Sequence, residues 1–145
     1  MELRIVAAGK LKEAATRSLV DDYYRRIRRS LPLTEVELRD DARAWQQYDQ
    51  RSRDPRTLRI ALEVQGRALS SAELAHFVQR EREQGTRQLD WLIGGADGLP
   101  PGLSQAAHHR ISLSTFTLPH RLARLLLAEQ LYRALCIIHG EPYAH

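Results

Sequence analysis

"ISLSTFTLPHRLARLLLAEQLYRALCIIHG", residues 111–140, runs from a short apolar strand through a hydroxyl-rich link into a long helix. Ser112, Ser114, Thr115 and Thr117 stand between apolar residues, and a helix start follows. Hydroxyls and free backbone N–H groups at such a place can hold a polar ligand without any charged side chain. The helix is expected from Pro119 to His139, with proline in its first turn and Gly140 at its close. Leu122, Leu125, Leu126, Leu127, Leu131, Leu135, Ile137 and Ile138 cover more than one face of it. A helix apolar on two sides needs two partners. One is the sheet; in a chain of 145 residues the other is expected to be a second subunit.

Upstream, strands and helices alternate. Leu3 to Ala8 reads as a buried strand ending at Gly9, and Leu11, Ala15, Leu19, Tyr23 and Ile27 recur at the four-residue spacing of a helix. "LTEVEL" (Leu33 to Leu38) is a short strand, while residues 40–56 are polar and weakly periodic, so a helix there is poorly specified. Thr57 to Val64 alternates as a strand, and Ser70 with Glu73 forms a capping box ahead of "LAHFVQRERE". "QLDWLI" (Gln88 to Ile93) is a strand feeding Gly94 and Gly95, "LPPGLSQAAHH" is a loop or short helix, and "RISLS" is the last strand. This alternation predicts an α/β fold, a mostly parallel sheet with helices on both faces, in one domain spanning residues 1–145.

Ligands of open α/β sheets sit beyond the carboxyl ends of strands. Three such ends, Leu62 to Gly66, Leu92 to Gly98 and Ile111 to His120, share a glycine-rich or hydroxyl-rich character. The turn "GGADG" does not follow the first strand and so is not a dinucleotide fingerprint. No G-x-x-x-x-G-K-[ST] is present either. By pattern alone this turn is structural; its neighbours make it a candidate ligand loop.

Twenty arginines and two lysines, Lys10 and Lys12, leave a net charge of +4, which permits RNA as a partner; a compositional preference for arginine explains it equally well. No window offers the roughly 20 apolar residues of a membrane span. The N-terminus lacks the apolar core of a signal peptide. The lone Cys136 fits a reducing cytoplasm, and its place in an apolar helix makes it a core residue. His108 and His109 have no partner at a metal-ligand spacing, so no metal is expected.

"VAAGKLKE", "ALEVQGRALSSAELA", "LIGGADGL" and "SLSTFTLPHRLARLLLAEQLYRA" resemble, in register over nearly the whole chain, the ribosomal RNA large subunit methyltransferase H family of the SPOUT superfamily. The resemblance implies a sheet whose C-terminal part forms a trefoil knot, against the general rule that chains are unknotted. It implies a homodimer that transfers a methyl group from S-adenosylmethionine to N3 of a pseudouridine in large-subunit ribosomal RNA, on assembled ribosomes. The cofactor positions it implies are Leu62, Gly94, Leu113, Ser114, Thr115, Phe116, Thr117 and Leu118. On this reading Gly94 lets the cofactor lie against bare backbone, and Leu62, Leu113 and Leu118 wall the adenine.

Such a transfer is an in-line displacement needing positioning groups, cationic anchors and a route for the N3 proton. His120, Arg121, Arg124, Glu129, Tyr132 and Arg133 lie on or near the last helix, with Tyr143 and His145 on the tail. Of these, His120, Glu129, Arg133, Tyr143 and His145 are the candidate catalytic set. Glu129 and Arg133, spaced i, i+4, also read as a plain helix ion pair. His120 also reads as a solvent-exposed first-turn histidine, and "RRIRR" (Arg25 to Arg29) as a solvated helix face rather than a phosphate patch. Two departures stand out. The tail reads "EPYAH", with Ala144 where the family carries histidine, and residues 39–56 are short and lack the family's lysines. They motivate an alternative, a dimer of the same fold that binds cofactor or ribosomal RNA with weak or no transfer.

Overall fold

The computed structural model describes residues 1–143. Five strands, β1 (Glu2–Ala8), β2 (Leu33–Leu38), β3 (Thr57–Ala68), β4 (Gln88–Ile93) and β5 (His109–Ser112), form one parallel sheet in the order β2-β1-β4-β3-β5. The connections are α1 (Ala14–Ile27), α2 (Ala42–Arg51), α3 (Ser71–Glu83) and α4 (Pro101–Ala106), and α5 (His120–His139) ends the fold. The expected α/β class, parallel sheet and helices on both faces are all present.

Period-two alternation along the strands sorts the core into two layers. Leu3, Ile5 and Ala7 of β1 with Leu89, Trp91 and Ile93 of β4 face Val20, Tyr24 and Ile27 of α1, Phe77 and Val78 of α3, and Leu127 and Leu131 of α5. Val6, Ala8, Ala61 and Leu92 face the other way, against Trp45 and Tyr48 of α2 and Leu103 near the start of α4. Asp90 lies on that second face with no exposure; Tyr48 Oη donates to it at 2.5 Å and Arg4 Nη2 at 3.0 Å.

One local expectation is corrected and two are filled in. The expected first helix is α1; its buried stripe is Thr16, Val20, Tyr24 and Ile27, with Tyr23 packed at the core's edge and Leu19 52% exposed. Strand β3 continues past Gly66 to Ala68, because Ile111 pairs with Leu62 and again with Arg67 while the residues between bow outward. The weakly periodic segment, where the sequence leaves a helix plausible but poorly specified, holds α2: Asp41 accepts from the Ala44 amide at 2.8 Å and caps it, and Trp45 and Tyr48 supply the buried face. The capping box is as expected, with Ser70 accepting from the Glu73 amide and Glu73 from the Ser70 amide. Gly140 closes α5 at a φ of 66°.

Candidate functional site

At the carboxyl ends of β3, β4 and β5 lies a cleft of about 200 Å³. Leu62 borders it from β3, Gly94 and Gly98 from the turn after β4, and Leu113, Ser114, Phe116 and Leu118 from the link between β5 and α5. Three segments remote in sequence thus meet where a parallel sheet exposes its strand ends. Thr115 and Thr117 are exposed on the same link and do not border the cleft. Phe116 is 80% exposed, its amide donating to Ser114 Oγ at 2.9 Å, so an aromatic ring stands at the cleft mouth.

The turn after β4 is built by its own backbone. Gly98 has a φ of 75°, and its amide donates to the Gly95 carbonyl at 3.0 Å. Gly94 has no positive φ; a Cβ there would fall inside the backbone of Gly98 and Leu99. The glycine is therefore required first by the turn itself. Asp40, from the end of β2, accepts from the Ala96 amide at 3.1 Å and steadies the turn from outside. Nothing in the sequence pattern marks Asp40, because its partner lies 56 residues away.

His120, at the start of α5, closes the cleft floor. Its Nδ1 lies 3.1 Å from the Gly94 carbonyl, which can only accept, so Nδ1 carries the proton and Nε2 is left as a lone pair. Nε2 is buried without a hydrogen-bond partner. Burial pushes the imidazole below its ordinary pKa of 6.5, with the Arg124 charge acting the same way against the Gly94 hydrogen bond. At neutral pH it is an uncharged acceptor. This excludes the reading of His120 as a solvent-exposed histidine.

The other candidate residues gather elsewhere. Glu129 holds Arg133 at 3.0 Å, and Tyr143 Oη donates to Glu129 at 3.1 Å while lying 3.5 Å from Tyr23 Oη. The Arg133 guanidinium sits 4.5 Å over the Tyr143 ring, and Tyr132 meets that ring edge-on. Burial and the bonds to Tyr23 and Glu129 push the Tyr143 phenol above its ordinary value, so it is a proton donor at neutral pH. The Glu129–Arg133 pair is thus part of a five-residue cluster with Tyr23, Tyr132 and Tyr143, and Tyr23, 106 residues before Glu129, carries no local signal for it. The proposed positions Ala144 and His145 lie outside the described residues.

One charged group changes role and another keeps the role expected of it. Arg124 is fully buried, donating to the Gly9 carbonyl at 3.1 Å, Glu35 at 2.8 Å and Glu37 at 2.7 Å, so it is a strut and not a surface anchor. Arg25 and Arg26 of "RRIRR" both pair with Asp22, in keeping with a solvated face.

An apolar groove joins the two halves of the candidate set. Leu19 and Tyr23 of α1 line it with Leu118, Leu122 and Glu129, so it touches the cleft through Leu118 and the tyrosine cluster through Glu129. From His120 to Glu129 is about 14 Å of helix, so the cleft and the tyrosine cluster stand at opposite ends of the groove. Among the described residues no group of three or more His, Cys, Asp or Glu side chains is placed to hold a metal ion, and no helix is long and apolar enough to cross a membrane.

A family profile described as "Predicted SPOUT methyltransferase" matches residues 1–145. A protein of Sorangium cellulosum named ribosomal RNA large subunit methyltransferase H is 46% identical over 145 residues, covering 100% of both chains. A protein of the same name from Geobacter sp. strain M21 is 38% identical, covering 100% of this chain and 99% of its own. Among solved structures, a "probable methylase family protein from Haemophilus influenzae Rd KW20" superposes with a TM-score of 0.55 at 13% identity, over 99% of this chain and 70% of that one. A "Probable Methyltransferase from Bordetella pertussis Tohama I" gives 0.55 at 12%, over 92% and 95%; both likenesses concern the fold alone. A parallel sheet with its cleft at the glycine turn, matched end to end by these sequences, places the chain in the SPOUT methyltransferase family, in the branch of the ribosomal RNA large subunit methyltransferases H.

Proposed function

We propose that the chain methylates N3 of a pseudouridine in large-subunit ribosomal RNA, with S-adenosylmethionine as methyl donor, in the cytoplasm and on assembled ribosomes. The observation that carries the reading is the cleft. Leu62, Gly94, Leu113, Ser114, Phe116 and Leu118, six of the positions that the resemblance assigns to the cofactor, border one cavity. The residues fit that group. Leucine walls suit an adenine, backbone of the glycine turn approaches without side chains, and the orphaned Nε2 of His120 offers an acceptor to a ligand donor. When bound, the cofactor supplies an electrophilic methyl on a sulfonium, so no metal is called for.

The chain's own part is to bind, orient and move a proton. Neutral His120 stands beside the glycine turn as an acceptor. Arg133 and Tyr143 supply a cation and a phenol donor able to hold phosphate and base, with Glu129 fixing both in place. Because these groups lie at opposite ends of the groove, we read the working unit as a homodimer in which a second copy seats on Leu19 and Leu122. The tail of one subunit, Tyr143 and His145 included, then serves the cleft of the other.

Calorimetry with S-adenosylmethionine and single-turnover methylation of unmodified ribosomes test the two halves. Saturable cofactor binding and methyl incorporation at a pseudouridine are expected. Deleting residues 142–145 should lower transfer about a hundredfold, the scale of lost positioning, with cofactor affinity within a few-fold. Binding without any transfer by the intact protein would replace this reading with that of a cofactor-binding dimer.

A further inference from the structure

A larger cavity, of about 310 Å³, lies away from the cleft, between α3 and the edge strand β5. Its floor is apolar: Leu69, Ala72, Phe77 and Ile111. Its rim is basic, with Arg67 from the end of β3, His76 and Arg80 from α3, and His109 and Arg110 from β5. Most arginines of this chain are neutralised; Arg17, Arg53, Arg56, Arg59, Arg87 and Arg133, for instance, each lie within 4 Å of a carboxylate. Arg67, Arg80 and Arg110 have no such partner among the described residues, and all three are exposed. Arg110 donates only to the Ser104 and Gln105 carbonyls, at 3.1 and 3.2 Å, which orients the guanidinium and leaves its charge. The one acid on the rim, Glu73, accepts from the Ser70 amide in the α3 capping box and keeps its charge, so three arginines stand against one carboxylate.

With three exposed arginines against one rim carboxylate the hollow is net positive and favours an anion, and its apolar floor suits a flat apolar body. The His109 ring stands edge-on to Phe77 at a centroid distance of 5.0 Å, partly open to the hollow. A nucleotide combines both requirements: its base lies on an aromatic or apolar floor and its phosphates meet arginines. An acidic peptide would satisfy the charges and leave the floor unused.

We propose that the hollow between α3 and β5 is a second RNA site, which takes one unstacked base of a single strand against His109 and the apolar floor and the flanking phosphates on Arg67, Arg80 and Arg110. It rests on the reading of ribosomal RNA as substrate and adds a place to hold the strand outside the methyl-transfer cleft.

The test compares two triple variants of equal net charge in the full chain. One is Arg67→Ala, Arg80→Ala and Arg110→Ala. The other is Arg25→Ala, Arg53→Ala and Arg56→Ala, which removes exposed arginines already paired with carboxylates. Fluorescence anisotropy with a ten-residue oligouridylate, across a salt series, reads affinity and the number of phosphates engaged. The first variant is expected to lose tenfold or more and to flatten the salt slope by about two, near 0.7 per lost single-strand phosphate contact. The second should bind within twofold of the intact protein, and both should keep their affinity for S-adenosylmethionine. His109→Ala, which removes the ring open to the hollow, should weaken the oligonucleotide and leave an acidic peptide of matching charge untouched. Equal losses in both triple variants, no loss in the first, or equal binding of the acidic peptide would each overturn the proposal. If the first variant binds the oligonucleotide normally yet ribosomes are methylated, the hollow falls and the methyltransferase reading stands. If the intact protein never methylates ribosomes, that reading falls, and the oligonucleotide comparison still decides the hollow.

Discussion

Gly94 and Gly98 sit four residues apart in one turn and are glycines for different reasons. Gly98 adopts a φ of 75° with open space around its Cβ position, whereas Gly94 has an ordinary φ and no room. Gly98→Ala should therefore cost about 1 kcal/mol, the strain of a left-handed non-glycine residue. Gly94→Ala should cost at least about 3 kcal/mol, because backbone and not a flexible side chain must give way. Urea midpoints of the two variants check the order, and a reversal would contradict the packing of this turn. The expectation that Gly94 is bare for the cofactor's sake is thereby narrowed. A larger residue there harms the turn before it can report on a ligand, so Gly98→Ala is the cleaner probe of the cleft.

At the scale of elements, α5 is tied to the sheet by one buried guanidinium. Arg124 reaches the Gly9 carbonyl after β1 and both Glu35 and Glu37 of β2, joining three segments that share no local sequence. Arg124→Ala would leave Glu35 and Glu37 sharing Arg17 alone among the described cations within 4 Å and the Gly9 carbonyl without this donor, and a cost of about 3 kcal/mol is expected. Glu35 carries the pH dependence. Burial alone would raise its pKa, but hydrogen bonds from Arg17 and Arg124 outweigh burial and hold it below the ordinary 4.5. Its folded pKa is thus lower than its unfolded one. The stability it contributes is complete above about pH 4.5 and is lost as pH falls through the folded value. The stability gap between the intact protein and Arg124→Ala, taken from urea curves, should accordingly be wide at pH 7 and shrink progressively as pH falls below 4.5. A gap independent of pH would mean that Arg124 acts by packing alone.

For the whole molecule, the exposed apolar stripe is the feature that a single chain leaves unfinished. Leu19 is 52% and Leu122 41% exposed, on two helices that face each other across one groove. The double variant Leu19→Asp, Leu122→Asp adds charge at two half-exposed positions outside the buried core, so the fold should survive. Sedimentation equilibrium should then find a monomer in place of a dimer, with methyl transfer lost and cofactor binding weakened where the groove meets Leu118. An intact protein that sediments as a monomer at micromolar concentration would end the dimer reading. Family membership also implies the trefoil knot around the β5–α5 link, a property of threading that no single residue reveals.

The strands, the capping box, the long helix and its glycine stop were legible in the sequence, because each is written in neighbours a few residues apart: alternation, four-residue spacing, a cap. The lining of the cleft was legible through resemblance to a family, residue by residue, although Thr115 and Thr117 face away from it. Whatever depends on distance along the chain had to come from tertiary structure. Leu19 and Val20 are both apolar helix residues one position apart, and only the placement of the sheet decides that Val20 is buried and Leu19 exposed. Arg124 reads like any basic helix residue until β2 places two carboxylates around it, 87 and 89 residues away. The hollow between α3 and β5 draws its arginines from three elements, and charge patterning along the chain carries no trace of it. Local rules specify the elements because helix and strand repeat over a few residues; buried charges and binding sites arise where distant elements converge, and that convergence is set by the packing of the whole core.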